Sequence, residues 1–148
     1  MLVKLITRWA QFFNDKTQAL FLDITLLIAR FSLGGFMLYG HGWGKLMNYG
    51  EKASTFPDPL GVGNSLSMAL AIFSEVFCSL AIMFGVATRL AVLQLIFTMV
   101  IAAFVVHSGD PFAAKEKALL YLFAYLPILL LGPGRLSIDG VLVKKLSK

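Results

Sequence analysis

Two ionisable residues stand alone in long apolar stretches and carry opposite charge: Arg30 within residues 24–44, and Glu75 within residues 66–84. A charge at the centre of a membrane span costs at least ~2.5–3.5 kcal/mol on insertion scales, so it faces protein or water and finds a partner. At ~1.5 Å per helical residue, Arg30 lies about 9 Å past residue 24, and Glu75 about 14 Å past residue 66. If the segments run antiparallel across a ~30 Å core, the vertical gap is about 7 Å, within reach of an extended arginine. An Arg30–Glu75 pair is the arrangement this predicts.

Arg30 also begins a stripe. Arg30, Gly34, His41 and Lys45 are spaced by four, seven and four residues. At ~100° per residue they share a wedge of about 60° on one helix. On the third apolar segment Gln94 falls near the depth of Arg30 and His107 near that of His41, while Tyr121 and Tyr125 lie on the fourth. These groups are expected to line one polar cavity that opens outward. Its chemistry would be binding of a polar headgroup such as a quinone, or proton transfer. Glu75 and His41 are the candidate catalytic pair, with Glu75 relaying a proton and His41 donating to a quinone oxygen. Arg30, Lys45, His107 and Tyr121 are the candidate ligand-binding residues: Lys45 a second donor, Arg30 the anchor of Glu75. The competing reading is structural, since interhelical polar contacts also lock membrane helices into register. No metal is expected, because two histidines without a fixed carboxylate do not make a specific ligand set. No haem or flavin pattern is present either.

The elements that must position these residues are apolar helices. Of 148 residues 58% are hydrophobic and only 14% charged, against about 25% charged in an ordinary soluble domain. Thirteen Lys+Arg and eight Asp+Glu cannot cover the surface of a water-soluble globule this size. Residues 90–109 and 118–134 carry no Asp, Glu, Lys or Arg. A span needs roughly 20 mostly apolar residues, about 17 at the lower limit. Four spans are therefore predicted, at 24–43, 66–84, 90–107 and 118–131, the last the shortest. Residues 46–65, with Pro57, Pro59, Gly61 and Gly63, form a broken polar loop that belongs outside the hydrocarbon.

Residues 2–13 place Leu2, Leu5, Ile6, Trp9, Phe12 and Phe13 at helical spacing, which predicts a short amphipathic helix lying in the membrane interface. The chain thus divides into an interfacial segment, 1–22, a four-helix transmembrane domain, 23–140, and a basic tail, 141–148. No cleavable signal peptide is recognised. Eight Lys and Arg fall on the side of the termini (Lys4, Arg8, Lys16, Arg89, Arg135, Lys144, Lys145, Lys148). Four, matched by acids, fall on the other (Lys45, Lys52, Lys115, Lys117). That bias predicts cytoplasmic termini. The net charge of +5 is spread over span ends and forms no basic stripe with interleaved aromatics, so nucleic acid is not an expected partner. The lone Cys78 excludes an intramolecular disulfide.

In this order and spacing, Arg30-Phe31-Ser32-Leu33-Gly34 with His41-Gly42 and Lys45 resembles the opening signature of the DoxX family. Glu75, then Gly85 with Thr88-Arg89, and the closing Gly132-Pro133-Gly134-Arg135-Leu136-Ser137-Ile138-Asp139 are similar to the rest of it. The resemblance covers about residues 24–140. It implies a four-helix protein of the bacterial inner membrane, with relatives among the small membrane subunits of thiosulfate:quinone oxidoreductase and among partners in redox-stress and thiol-homeostasis complexes. It therefore implies a quinone as cofactor, and the lipid bilayer plus other membrane or redox subunits, or further copies of the chain, as partners. The sequence departs from the disulfide-handling relatives in having no cysteine pair. A non-catalytic scaffold or accessory subunit of a larger membrane complex is the alternative. A small-solute transporter ranks below both, because four short spans enclose little volume.

Overall fold

A computed structural model describes residues 15–147 of the chain, and the described residues form helices joined by short turns, with no strand among them. We label five helices. The first, α1, comprises Asp15–Met37, a π-helical turn Leu38–Gly42, and Trp43–Met47. Next, α2 comprises Asn64–Ile72, a π-helical turn Phe73–Cys78, and Ser79–Phe84. Then α3 runs over Thr88–Ile101 into a π-helical turn, Ala102–Val106, followed by α4, Phe112–Leu131, and α5, Ile138–Leu146. Between α1 and α2 lie a helical turn Tyr49–Lys52 and a 3-10 turn Ala53–Thr55.

Three helical stretches are long and apolar enough to cross a membrane: Lys16–Met47, Asn64–Phe84 and Thr88–Val106. Their outward faces carry Phe36, Phe77, Leu90, Phe97 and Phe104, each about half exposed or more, as lipid contact requires. The 32 residues of the first stretch measure about 48 Å, well beyond a ~30 Å core. The helix therefore begins upstream of residue 24 and runs unbroken past residues 22 and 23, where the sequence suggested a boundary. The interfacial helix expected at 2–13 lies outside the described residues. Of α4, only residues 118–131 are free of charge, about 21 Å of helix, because Lys115, Glu116 and Lys117 occupy its first turns. It packs along α3 and reaches α1.

Helices α1 and α2 meet backbone to backbone. A Cβ on Gly34 would stand 2.8 Å from the carbonyl oxygen of Ser79, and one on Gly42 2.8 Å from that of Glu75. Small residues at such crossings are what membrane helices use in place of a hydrophobic driving force. These two contacts set the register, placing residue 34 beside 79–83 and residue 42 beside 75–76. The main buried cluster includes Met37, Ile82, Val92, Leu95, Tyr125 and Ile128.

One end of the bundle is closed by a latch built from the last loop. Helix α2 ends at Gly85 in the left-handed region (φ 71°), with Val86 N–H donating to Ala81 O at 2.9 Å. Asp139 then accepts from the amides of Ala87 and Thr88, each at 2.9 Å, and from the Thr88 hydroxyl at 2.8 Å. Asp23, on α1, accepts from Arg135 twice, from its amide at 2.8 Å and its Nε at 2.5 Å. Arg30, fully buried, donates from Nη1 to the carbonyls of Ile82 (3.3 Å) and Met83 (3.2 Å), and from Nη2 to that of Leu136 (2.5 Å). The first two acceptors belong to the last turn of α2, whose carbonyls lack their ordinary i+4 helical partners and attract a cation; Ile82 O also accepts the Gly85 N–H at 3.2 Å. The segment 141–148, read above as a tail, is largely helical, since α5 extends to Leu146.

Candidate functional site

At the opposite end the helices part. A cavity of about 650 Å³ lies between α1, α2, α3 and α4, roofed by Phe56, Pro57, Pro59 and Leu60 from the loop. The roof is held by Asp58. Its carboxylate accepts from the Ser67 hydroxyl (2.7 Å) and the amides of Gly63 (2.7 Å) and Val62 (3.0 Å), tying the loop to the first turn of α2. Those hydrogen bonds, the Ser67 hydroxyl's foremost, hold the Asp58 carboxyl below the ordinary aspartate range.

Inside, the wall is mostly apolar with a few convergent polar groups, the usual composition of a small-molecule site. Lys45 Nζ donates to Glu75 Oε2 at 2.6 Å, and the Glu75 side chain is only 7% exposed. The same ammonium reaches the carbonyl of His41 at 3.4 Å. The His41 ring stands edge-on to Tyr121, centroids 5.6 Å apart, and Tyr121 stacks on Tyr125 at 5.9 Å. His107 Nδ1 lies 2.7 Å from Asp110 Oδ2 at the rim. Opposite Glu75, Thr98 donates to the Ser74 hydroxyl at 2.7 Å, and both hydroxyls contact the carbonyl of Gln94.

All three π-helical turns lie at this level. The first contains His41, the second Glu75, and the third contributes Ala102 and Val106 to the wall and ends beside His107. A π-turn accommodates one extra residue and widens the helix locally, and such turns are frequent where helices line functional sites.

Of the residues singled out from sequence, His41, Lys45, Glu75, His107, Tyr121 and Gln94 line the cavity together. Tyr125 lies fully buried behind Tyr121. Arg30 does not line it, and the expected Arg30–Glu75 pair is replaced by Lys45–Glu75. Depth counted from residue 24 does not give the pairing, because α1 begins upstream of that residue and the offset of α1 along α2 is fixed by their backbone contacts. With Gly42 against Glu75, the residue facing Glu75 is one turn from Lys45, whereas Arg30 is twelve positions away along α1, about 18 Å. The cavity is also lined by Lys117 and by the apolar roof of the loop, neither of which stood among the candidate site residues. The alternation Phe56-Pro57-Asp58-Pro59-Leu60, too apolar for a solvated loop, was the available signal for the roof. Among the described residues, no three His, Cys, Asp or Glu side chains gather as a metal site.

A helical chain with a lipid-exposed apolar exterior and an amphipathic cavity among its spans is a small integral membrane protein. The DoxX family model matches residues 25–108, which is more than half of the chain, and the chain belongs to that family. It is also 31% identical, over 129 residues, to inner membrane protein YqjF of Escherichia coli (strain K12), a match covering 83% of this chain and 95% of that protein. No solved structure matches the chain significantly.

Proposed function

We propose that the chain is a small inner-membrane subunit of a quinone-linked oxidoreductase or redox-stress system, and that the cavity takes the polar head of a quinone. The observation that carries this reading is the Lys45–Glu75 pair beside His41, set in an otherwise apolar wall that also offers the flat ring of Tyr121. The donor set fits such a head. The Lys45 ammonium and a His41 ring N–H can each donate to a carbonyl oxygen, while apolar neighbours exclude water and strengthen those bonds. A bound quinone would supply the two-electron redox chemistry. The protein's part is to orient the head and to hold a proton at Glu75 Oε1, the oxygen that Lys45 leaves free, or at His41. Leu70 and Phe97, both on the lipid-exposed exterior and both in the cavity wall, give a lipophilic molecule access from the bilayer. In this reading α4 is the fourth span. The cluster of Arg89, Arg135, Lys144 and Lys145 at the latch end supports a cytoplasmic location for both termini.

The test is binding of a short-chain ubiquinone to the purified full chain, followed by quenching of aromatic fluorescence. Saturable binding that weakens ~10-fold or more in Glu75→Gln or His41→Ala, as loss of a charge-assisted contact would give, supports the reading. No saturable binding in the wild type overturns it. The alternative, a non-catalytic accessory subunit, would then gain support if gentle purification gave a stable larger assembly. The exposed aromatic row Phe36, Tyr39 and Trp43 on α1 would suit such a contact.

A further inference from the structure

The latch leaves one arginine unused. Arg89, in the first turn of α3, makes no hydrogen bond or ion pair among the described residues, yet its guanidinium lies flat against Gly132, with Nη2 3.4 Å from where a Cβ would stand. It forms one wall of a second cleft, of about 420 Å³, between the start of α3, the turn at 132–135 and α5. Arg135 stands on the other wall. Asp23 occupies its amide and Nε, which leaves the terminal guanidinium nitrogens free, and the side chain is 68% exposed. The remaining charged group in the cleft, Asp139, has both carboxylate oxygens engaged by Ala87 and Thr88. The cleft therefore presents two guanidinium groups with donors to spare and no free acceptor acid.

Its other walls are apolar and continuous with the lipid-facing surface. Leu90 (71% exposed) begins α3, Leu131 (56%) ends α4, and Val143 (67%) lies on α5. Residues at the ends of spans sit at headgroup depth. A cationic rim over an apolar wall at that depth matches a molecule with an anionic head and hydrocarbon tails. A soluble anion would use the rim and leave the leucines without purpose. Two arginines favour phosphate, which a guanidinium binds through two parallel hydrogen bonds. Basic pockets between membrane helices hold anionic lipid headgroups by the same means.

We propose that this cleft is a binding site for an anionic glycerophospholipid, its phosphate between Arg89 and Arg135 and its acyl chains along Leu90 and Leu131. The headgroup bridges α3 to the closing turn, so the lipid adds a non-protein link to the latch. The site is separate from the quinone cavity, and its occupancy does not depend on that reading.

The full chain in neutral detergent is titrated with dioleoylphosphatidylglycerol, dioleoylphosphatidylcholine or inorganic phosphate, and melting temperature and lipid retention in native mass spectrometry are recorded. Phosphatidylglycerol should raise the melting temperature and stay bound, with little effect from the other two. Arg89→Gln, which removes a side chain with no hydrogen bond or ion pair among the described residues and so should fold, should weaken the phosphatidylglycerol response ~10-fold, as loss of a charge-assisted hydrogen bond predicts. The pair Lys144→Gln and Lys145→Gln should leave it largely intact. A wild-type response in Arg89→Gln overturns the proposal. So does an equal loss in the lysine variant, which would mean diffuse surface charge, or an equal shift with inorganic phosphate.

Discussion

The two ends of this bundle treat charge in opposite ways. At the latch, Asp23, Arg30 and Asp139 reach across three chain segments and spend their hydrogen bonds on backbone amides, carbonyls and one another's loops. At the cavity, Lys45 and Glu75 hold each other at 2.6 Å while the surrounding wall is apolar and about 650 Å³ of space adjoins them. Arg30 and Glu75 look alike in the sequence, each a solitary charge in an oily segment. What separates them is how many protein acceptors or donors surround each one. A buried charge with its partners supplied by the end of a helix is scaffolding, and one that shares a cavity with a single partner retains capacity for a ligand.

The comparison can be broken most directly at Arg30. Arg30→Met removes a fully buried charged donor from three backbone carbonyls and should cost on the order of 3–5 kcal/mol, read as a sharp fall in detergent melting temperature. Because Arg30 and Glu75 share no partner, adding Glu75→Gln should give additive losses; a rescue would show that the two residues meet after all. Next in size is the helix contact beneath the cavity. Gly42→Ala drives a methyl to 2.8 Å from Glu75 O and should destabilise by about 1–3 kcal/mol. It should also weaken quinone binding by shifting Glu75 away from Lys45; unchanged melting and binding would show that the crossing is loose.

Asp139→Asn tests the latch through its pH dependence. Burial raises the Asp139 pKa, but hydrogen bonds from Thr88 and Ala87 together with the charge of Arg30 more than offset this, so the net value is lowered. Near pH 4 the unfolded chain therefore binds more protons than the folded one. The stabilisation is complete at neutral pH and is lost as pH falls from the unfolded value near 4 through the folded value. Asp139→Asn should cost about 1–2 kcal/mol at pH 7, and its melting temperature should fall less on acidification than the wild type's. Parallel curves would remove Asp139 from the acid response. The smallest effect is expected at Gly35, where a Cβ would meet nothing within 4 Å. Gly35→Ala should be neutral or stabilise by up to about 1 kcal/mol, in contrast to Gly42→Ala one helix face away.

Much of the cavity was legible because polar residues stand out against apolar segments. His41 and Lys45 share a face by spacing, while Glu75 and His107 enter by depth and Tyr121 as a polar group on the fourth apolar segment. Their pairing was not legible, because it depends on how far α1 slides along α2. That offset is set by Gly34 and Gly42 touching the α2 backbone, a contact that no periodicity encodes. The latch was equally hidden. Asp23 and Arg135, like Thr88 and Asp139, are far apart in the chain and meet only once the loops close. Lys117 was passed over because, next to Lys115 and Glu116, it reads as the solvated start of a helix.

The three π-turns have a consequence for how such a cavity is inherited. Each one accommodates a surplus residue at a common height, so the gap between the helices is written in residue number as well as in residue type. Deleting one residue from Leu38–Gly42 would heal that turn into regular α-helix, and because the turn already absorbs its surplus residue, everything beyond it would keep its facing. Lys45 would still face Glu75, whereas His41, inside the turn, would lose the placement that the widened turn gives it. The widening at the cavity is in that sense frame-dependent, open to loss by a single in-frame codon deletion that keeps the Lys45–Glu75 pair and leaves the helix as apolar as a span requires.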